Sequence, residues 1–207
     1  MHAYLNPTHE WTLKKYLERQ FEYVSVSSEL SQQIKFVPRA NTTVVNAYLA
    51  PILHQYINQI LSKLPDNSLR MMTSAGSLIH AKYFQPKDSL LSGPAGGVVG
   101  AAVIGKQSGF NRLLTFDMGG TSTDVARFEN DFEYQFDVTI SGSTVFAPAL
   151  SIKTVAAGGG SICYFDGIKL CVGPESAGAS PGPACYGAGG PLTITDVNLL
   201  QIGRAHV

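Results

Sequence analysis

The chain has 207 residues, enough for one or two domains with a buried core. Apolar residues make up 44% and charged residues only 14%, well under the roughly 25% charged fraction of an average soluble domain, which excludes a disordered tail or a coiled coil. Fifteen Lys and Arg balance fifteen Asp and Glu, so net charge gives no reason to bind nucleic acid or an anionic membrane. The longest small-residue apolar run, Gly93 to Gly105, falls short of the roughly 18 residues a membrane span needs. His9, Glu10 and Trp11 occupy the place of a secretory apolar core, so a cytoplasmic protein is expected. Cys163, Cys171 and Cys185 are odd in number, with no CxxC pair or nearby histidine, and read as reduced thiols, neither a disulfide framework nor a zinc site.

In chain order, Trp11, Leu13, Tyr16, Leu17 and Phe21 recur near helical spacing after Thr8, a candidate N-cap with Glu10 in the first turn. Phe21 to Ser27 alternates bulky with small or polar residues and reads as a strand. From Asn41 to Leu64 an apolar stripe, including Val44, Tyr48, Ile52, Tyr56 and Ile60, predicts the longest helix. Pro51 falls inside it and should kink or divide it, because its ring removes a backbone donor and crowds the carbonyl four residues back. Leu69 to Thr73 is a predicted buried strand ending in a Ser74-Ala75-Gly76 turn. Gly93 to Ile104 is a predicted helix in which Gly96, Gly97 and Gly100 point to close backbone approach. Leu113 to Asp117, Asp124 to Phe128 and Phe132 to Ile140 are three predicted strands, and Ser161 to Phe165 and Ile168 to Val172 flank the hairpin signal Asp166-Gly167. Nearly half of the 21 glycines lie between Ala156 and Gly190, a loop-dominated region. Strand clusters, helices and glycine-rich loops in one neutral chain indicate a mixed α/β class.

The sharpest feature is the run from Leu113 to Val125, where an apolar strand ends in Asp117 and Gly119, Gly120, Thr121, Ser122 and Thr123 lead to Asp124 and a second strand. Two glycines let successive N–H groups face one anion, and three hydroxyls add donors, so the turn suits a phosphate. Asp117 and Asp124 can hold Mg²⁺ through its water shell. A hairpin turn with a solvated Thr/Ser edge is the plainer alternative. Gly158, Gly159 and Gly160 permit close approach of backbone to a nucleotide or substrate, or equally a sharp turn. Glu175 and Ser176 lie between rigid Pro and Gly neighbours that could present them to a substrate, or belong to a structural loop. Thr195 and Asp196 fit a helix N-terminus. His54 and His80 are isolated and read as surface residues. Arg39 fits an anion contact or a helix-flanking surface role.

The string DMGGTSTD at 117–124 resembles the second phosphate loop of the actin, sugar-kinase and Hsp70 superfamily, and in particular its hydantoinase and 5-oxoprolinase group. The strings RANTTVVNAYL at 39–49, SGPAGGV at 92–98, TVAAGGGS at 154–161, VGPESAGA at 172–179, PGPACYG at 181–187 and TITDVNL at 193–199 are similar to further elements of that group, in the same order. The wording TVAAGGGS and the FEYQF strand lean toward the 5-oxoprolinase branch over N-methylhydantoinases or ketone carboxylase subunits. The resemblance implies actin/sugar-kinase/Hsp70-like (ribonuclease H-like) α/β lobes, incomplete here, and ATP-dependent opening of a cyclic amide with ATP and Mg²⁺. It implies that Asp117 and Asp124 act in catalysis, with Asp117 on the metal. Gly119, Gly120, Thr121, Ser122, Thr123, Gly158, Gly159 and Gly160 would lie at the nucleotide, and Glu175 and Ser176 toward a small cyclic amide substrate. A non-enzymatic actin-like nucleotide switch is the alternative from another class.

In that group a first phosphate loop similar to D-x-G-G-T-F-T-D precedes the second, and nothing upstream of Asp117 matches it. The expectation is an internal fragment whose partners are the remainder of its own chain and a B-type subunit or domain. Residues 1–112 are expected to end a first lobe and carry connecting helices. Residues 113–200 are expected to open a second lobe with the phosphate loop and glycine-rich loops. Residues 201–207 are expected to be a non-native tail, since Ile202 to Val207 reads as a translated sequencing adapter.

Overall fold

Alternating apolar periods of 3.6 and 2 along the chain produce five α-helices and a series of short strands among the described residues. The structure, a computed structural model, describes residues 2–64, 69–140 and 142–204. The order is α1 (Thr8–Leu17), α2 (Ser27–Leu30), α3 (Phe36–Leu61), β1 (Arg70–Met72), β2 (Leu78–His80), α4 (Ser92–Gln107), β3 (Arg112–Met118) and β4 (Thr123–Glu129). There follow β5 (Asp131–Phe132), β6 (Tyr134–Gln135), β7 (Val138–Ile140), β8 (Ser143–Val145), β9 (Ala149–Leu150), β10 (Ile152–Val155), β11 (Ser161–Phe165), β12 (Leu170–Ser176) and α5 (Ile194–Arg204). No helix among the described residues is long and apolar enough to cross a membrane.

The chain divides into two compact units, residues 1–108 with 131–151, and residues 109–130 with 152–207. The units are discontinuous: residues 131–151, which lie inside the expected 113–200 segment, pack with the first unit. Hydrogen bonds hold them there: Phe146 N donates to Thr42 Oγ1 at 2.8 Å, Asn41 Nδ2 to the Thr144 carbonyl at 3.3 Å, and Leu150 N to the Ser74 carbonyl at 2.8 Å. Of the expected tail, residues 201–204 continue α5, and Ala205 to Val207 lie outside the described residues.

In the first unit α3 runs unbroken through Pro51, which is exposed, so the expected division does not occur. Its buried stripe is also more polar than the apolar pattern suggests: Arg39, Thr42, Asn46, Ala50 and Ile57 face inward, while Val44, Tyr48, Ile52 and Tyr56 are exposed. Asn46 explains part of this, because its side chain donates to Ser25 Oγ at 3.0 Å and accepts from Lys87 N at 3.0 Å. Ile57 packs with Ala81 and Phe84, with Leu53, Leu61, Leu69, Met71 and Ile79 around them. The expected strand at Phe21 to Ser27 is absent. Its end starts α2, where the Glu10 carboxylate accepts from Ser27 Oγ at 2.6 Å and Ser28 N at 2.9 Å. Thr8 opens α1 without capping it; Asn6 Oδ1 accepts its N–H at 3.1 Å.

The expected strand from Phe132 to Ile140 is three short pieces, because β6 pairs with β9 and β7 pairs with β8, so the run must bend between partners. At three of the α4 glycines the space is open: a Cβ at Gly93 or Gly100 meets nothing within 4 Å, and one at Gly96 meets only Met72 Cγ at 3.9 Å. Close approach occurs at Gly76, whose φ is +78° and whose Cβ position lies 2.9 Å from Val99 Cγ2.

The second unit is built on an antiparallel three-stranded arrangement in the order β10-β4-β3. Its β3–β4 register sets Asp117 opposite Asp124 and Met118 opposite Thr123, and β10 sets Val155 opposite Thr123. The β11–β12 hairpin has a wider turn than the Asp-Gly pair predicts, with Asp166 Oδ1 accepting from both Ile168 N and Lys169 N at 2.8 Å.

Candidate functional site

Register fixes the first part of the site. Because Asp117 and Asp124 are paired across antiparallel strands, they project from the same face of the sheet. Asp124 Oδ1 accepts a hydrogen bond from Thr154 Oγ1 of β10 at 2.6 Å, and Asp117 is exposed. Among the described residues no group of three or more His, Cys, Asp or Glu side chains gathers as a metal cage. Two facing carboxylates suit a hydrated hard cation, which keeps most of its water ligands, better than a stripped one.

The connecting turn is Gly119-Gly120-Thr121-Ser122, closed by Gly119 N donating to the Ser122 carbonyl at 2.9 Å. Neither glycine has a positive φ. A Cβ at Gly119 makes only an ordinary 3.5 Å contact, and one at Gly120 meets nothing within 4 Å. Among the described residues the amides of Gly120, Thr121 and Ser122 and the hydroxyls of Thr121 and Ser122 have no hydrogen-bond partner. Successive unpaired donors on an exposed turn, with open space at the Cβ position of Gly120, have the chemistry to meet an anion. Thr123 differs from its neighbours: it is buried, and its hydroxyl donates to the Ala157 carbonyl at 2.6 Å, which makes it an anchor of the turn.

The triglycine loop lies directly on this turn. Gly159 N donates to the Gly119 carbonyl at 2.8 Å and Gly160 N to the Gly120 carbonyl at 2.7 Å, while Gly158 N donates to the Oγ of buried Ser161 at 2.9 Å. All three amides are therefore occupied within the chain. The loop's carbonyls are also held: Thr195 donates to Gly159 through both its amide and its hydroxyl, each at 2.8 Å, and Ala177 N donates to Gly160 at 2.8 Å. In sequence Thr195 fits a helix start within the TITDVNL string, and its bonds to Gly159 come only from the structure. Ser176 sits beside the loop, its Oγ 2.9 Å from where a Cβ of Gly160 would lie, and accepts from Gly178 N at 3.2 Å. Glu175 is exposed at the end of β12.

Asp196 holds the start of α5. Its carboxylate accepts from Cys185 N and Thr193 N, both at 2.7 Å, and from Thr193 Oγ1 at 3.0 Å. Hydrogen bonding from the Cys185 thiol, with these donors, holds its carboxyl well below the usual carboxylate range, and the same contact pushes the Cys185 thiol up. The three cysteines are free. Arg39 is not a surface residue: its guanidinium is buried in the first unit, donating to Ser27 Oγ at 3.2 Å and the Gln33 carbonyl at 2.9 Å. His54 stacks on Tyr23 at 5.0 Å, and His80 Nδ1 accepts from Lys82 N at 3.2 Å, both in the first unit.

The profile of the hydantoinase/oxoprolinase family matches residues 39–204. The chain is 45% identical over 210 residues to 5-oxoprolinase of Saccharomyces cerevisiae, covering 99% of this chain and 16% of that protein. Among solved structures, an ATP-dependent caprolactamase from Pseudomonas jessenii superposes with a TM-score of 0.78 at 33% identity, over 96% of this chain and 30% of that one. A nucleotide-free acetone carboxylase superposes with a TM-score of 0.74 at 27% identity, over 97% of this chain and 30% of its own. The α/β fold is that of these proteins, and the chain spans about a sixth of the yeast relative's length. With its glycine-hydroxyl turn, triglycine loop and TITD helix start all inside the matched span, this chain belongs to the hydantoinase/oxoprolinase family.

Proposed function

We propose that the full-length protein carrying this chain opens 5-oxo-L-proline to glutamate with hydrolysis of ATP, and that the β3–β4 turn binds the nucleotide's phosphates. The observation that carries this reading is the turn itself: Gly119 and Gly120 are required by neither its conformation nor its packing, and among the described residues the amides of Gly120, Thr121 and Ser122 are unpaired. Glycines without an internal role are explained by an external group approaching the backbone closely. The identity to the yeast 5-oxoprolinase supports the choice of substrate. In the finer fold reading, β3, β4 and β10 are an antiparallel part of an actin/sugar-kinase-like lobe, supported by the strand order β10-β4-β3. The first phosphate loop, which this chain does not carry, and a B-type subunit or domain complete the proposed enzyme.

An unactivated lactam resists water because amide resonance stabilises it. In the proposed reaction the lactam oxygen attacks the terminal phosphorus and ADP leaves. Water then adds to the activated carbon, the ring C–N bond breaks as the nitrogen takes a proton, and a second water frees phosphate from the resulting acyl phosphate. The chain's contribution is to hold charge on the phosphoryl group: the amides of Gly120 and Thr121 and the hydroxyls of Thr121 and Ser122 point donors at it. Asp117, with Asp124 held by Thr154, would hold Mg²⁺ through water, and that ion supplies charge neutralisation when bound with nucleotide.

The test is 5-oxoproline-dependent ADP release by the full-length protein and its Asp117→Asn variant. Loss of one transition-state interaction of about 3 to 4 kcal/mol lowers turnover by two to three decades, while the KM for the cyclic amide stays nearly unchanged. Substrate-dependent ADP formation within about threefold of the parent in Asp117→Asn would remove the turn from the mechanism.

A further inference from the structure

We propose that Gly158-Gly159-Gly160, held from its other face by Thr195, is the positioning element of the phosphate turn, and that its glycines serve this backbone contact in place of touching the nucleotide. The inference rests on the phosphate reading of the β3–β4 turn. Gly159 and Gly160 donate to the carbonyls of Gly119 and Gly120 at 2.8 and 2.7 Å. The cis peptide bonds among the described residues lie elsewhere, so both of these peptides are trans. In a trans peptide the carbonyl and the following N–H point in opposite directions. Fixing the two carbonyls on the triglycine loop therefore turns the N–H groups of Gly120 and Thr121 away from it, as a paired set of outward donors. Without that anchor each peptide plane is free to rotate, and the entropy of aligning the donors falls on the ligand.

Only glycine permits the stacking. A Cβ at Gly158 would lie 2.7 Å from the Gly119 oxygen and from both the carbon and the oxygen of the Gly120 carbonyl, and one at Gly160 would lie 2.8 Å from the Gly120 oxygen. These neighbours are backbone, so the turn itself must move to accept a methyl group. At Gly159 the nearest atom is instead Thr195 Oγ1 at 2.7 Å, which marks the side on which α5 holds the loop. The division of labour is clear in the contrast with Gly120, in front of which the structure is open.

The experiment measures Mg-ATP affinity by calorimetry, the KM for ATP and for 5-oxoproline, and the nucleotide-free thermal midpoint, all in the full-length protein. Gly120→Ala reports on the phosphate reading, and Gly158→Ala and Thr195→Val report on the positioning element. The expected result is that Gly120→Ala and Gly158→Ala each weaken Mg-ATP by about tenfold or more. Thr195→Val, which loses one hydroxyl donor, weakens it by about threefold. The KM for 5-oxoproline stays unchanged throughout, and the double variant Gly120→Ala/Gly158→Ala is less than additive because both act on one turn. If Gly158→Ala lowers the nucleotide-free midpoint by more than about 10 °C, Thr195→Val decides. Weakening by Gly120→Ala alone, with Gly158→Ala and Thr195→Val binding like the parent, overturns the positioning role and leaves the phosphate turn standing. Parent-like binding by Gly120→Ala overturns the phosphate reading and this inference with it.

Discussion

At Gly120 neither backbone conformation nor packing calls for glycine. Its φ is not positive and a Cβ there meets nothing within 4 Å, so the fold of the chain tolerates a side chain at this position. Glycine costs conformational entropy on folding, and its replacement by alanine at a compatible position stabilises by roughly 0.4 to 1 kcal/mol. Gly120→Ala is therefore expected to melt at or slightly above the parent's midpoint when nucleotide is absent. A calorimetric scan without ligand checks this, and a fall of several degrees would mean that the turn needs glycine for its own geometry. Gly76 provides the opposite case in the same chain, where a positive φ and a 2.9 Å approach to Val99 make glycine a requirement of packing.

At the scale of elements, α5 is tied down through its first turn. Asp196 gathers the amides of Cys185 and Thr193 and the Thr193 hydroxyl, while the adjacent Thr195 reaches the triglycine loop. The carboxyl of Asp196 is depressed in the folded chain, chiefly by the Cys185 thiol hydrogen bond. A depressed carboxyl contributes stability that is complete above its unfolded value, near 4, and is lost as pH falls through the lower folded value. Asp196→Asn is accordingly expected to lower the thermal midpoint at neutral pH and to flatten its decline below about pH 4. Melting both proteins from pH 7 down to strongly acidic buffer checks this; parallel curves would show that Asp196 does not hold the helix start. In the first unit α3 shows an element whose apolar periodicity and buried face do not coincide, since Asn46 and Thr42 turn inward to bond Ser25, Lys87 and Phe146.

At the scale of the whole molecule, large apolar side chains remain exposed along α3 and on β3, among them Tyr48 at 76% and Leu114 at 77%. The chain also spans only 16% of the yeast relative. The proposed chemistry needs phosphate donors, metal carboxylates and cyclic amide aligned together, and alignment of that kind accounts for a large part of an enzyme's rate. The 207-residue chain alone is therefore expected to release ADP in response to 5-oxoproline at less than about 0.01 per second, far below an ordinary enzymatic turnover of about 10 per second. A coupled ATPase assay on the isolated chain checks this, and turnover near 1 per second would place the complete machinery within these residues.

What the sequence determined by itself was local and chemical. The strand pair around DMGGTSTD, the α4 helix, the β11–β12 hairpin and the start of α5 follow from short-range periodicity and turn chemistry, and each is present. The ordered glycine and hydroxyl strings were enough to identify the family. Only the tertiary structure decided what depends on contacts between distant residues. It removed the strand at Phe21 to Ser27, which pairs with no strand among the described residues, broke Phe132 to Ile140 into pieces with different neighbours, and assigned residues 131–151 to the first unit. It also shows which backbone the triglycine loop touches, because a glycine at a sharp turn and one at a backbone stacking contact look alike in sequence. The difference lies in the carbonyls of Gly119 and Gly120, about forty residues away along the chain, to which the amides of Gly159 and Gly160 are bonded.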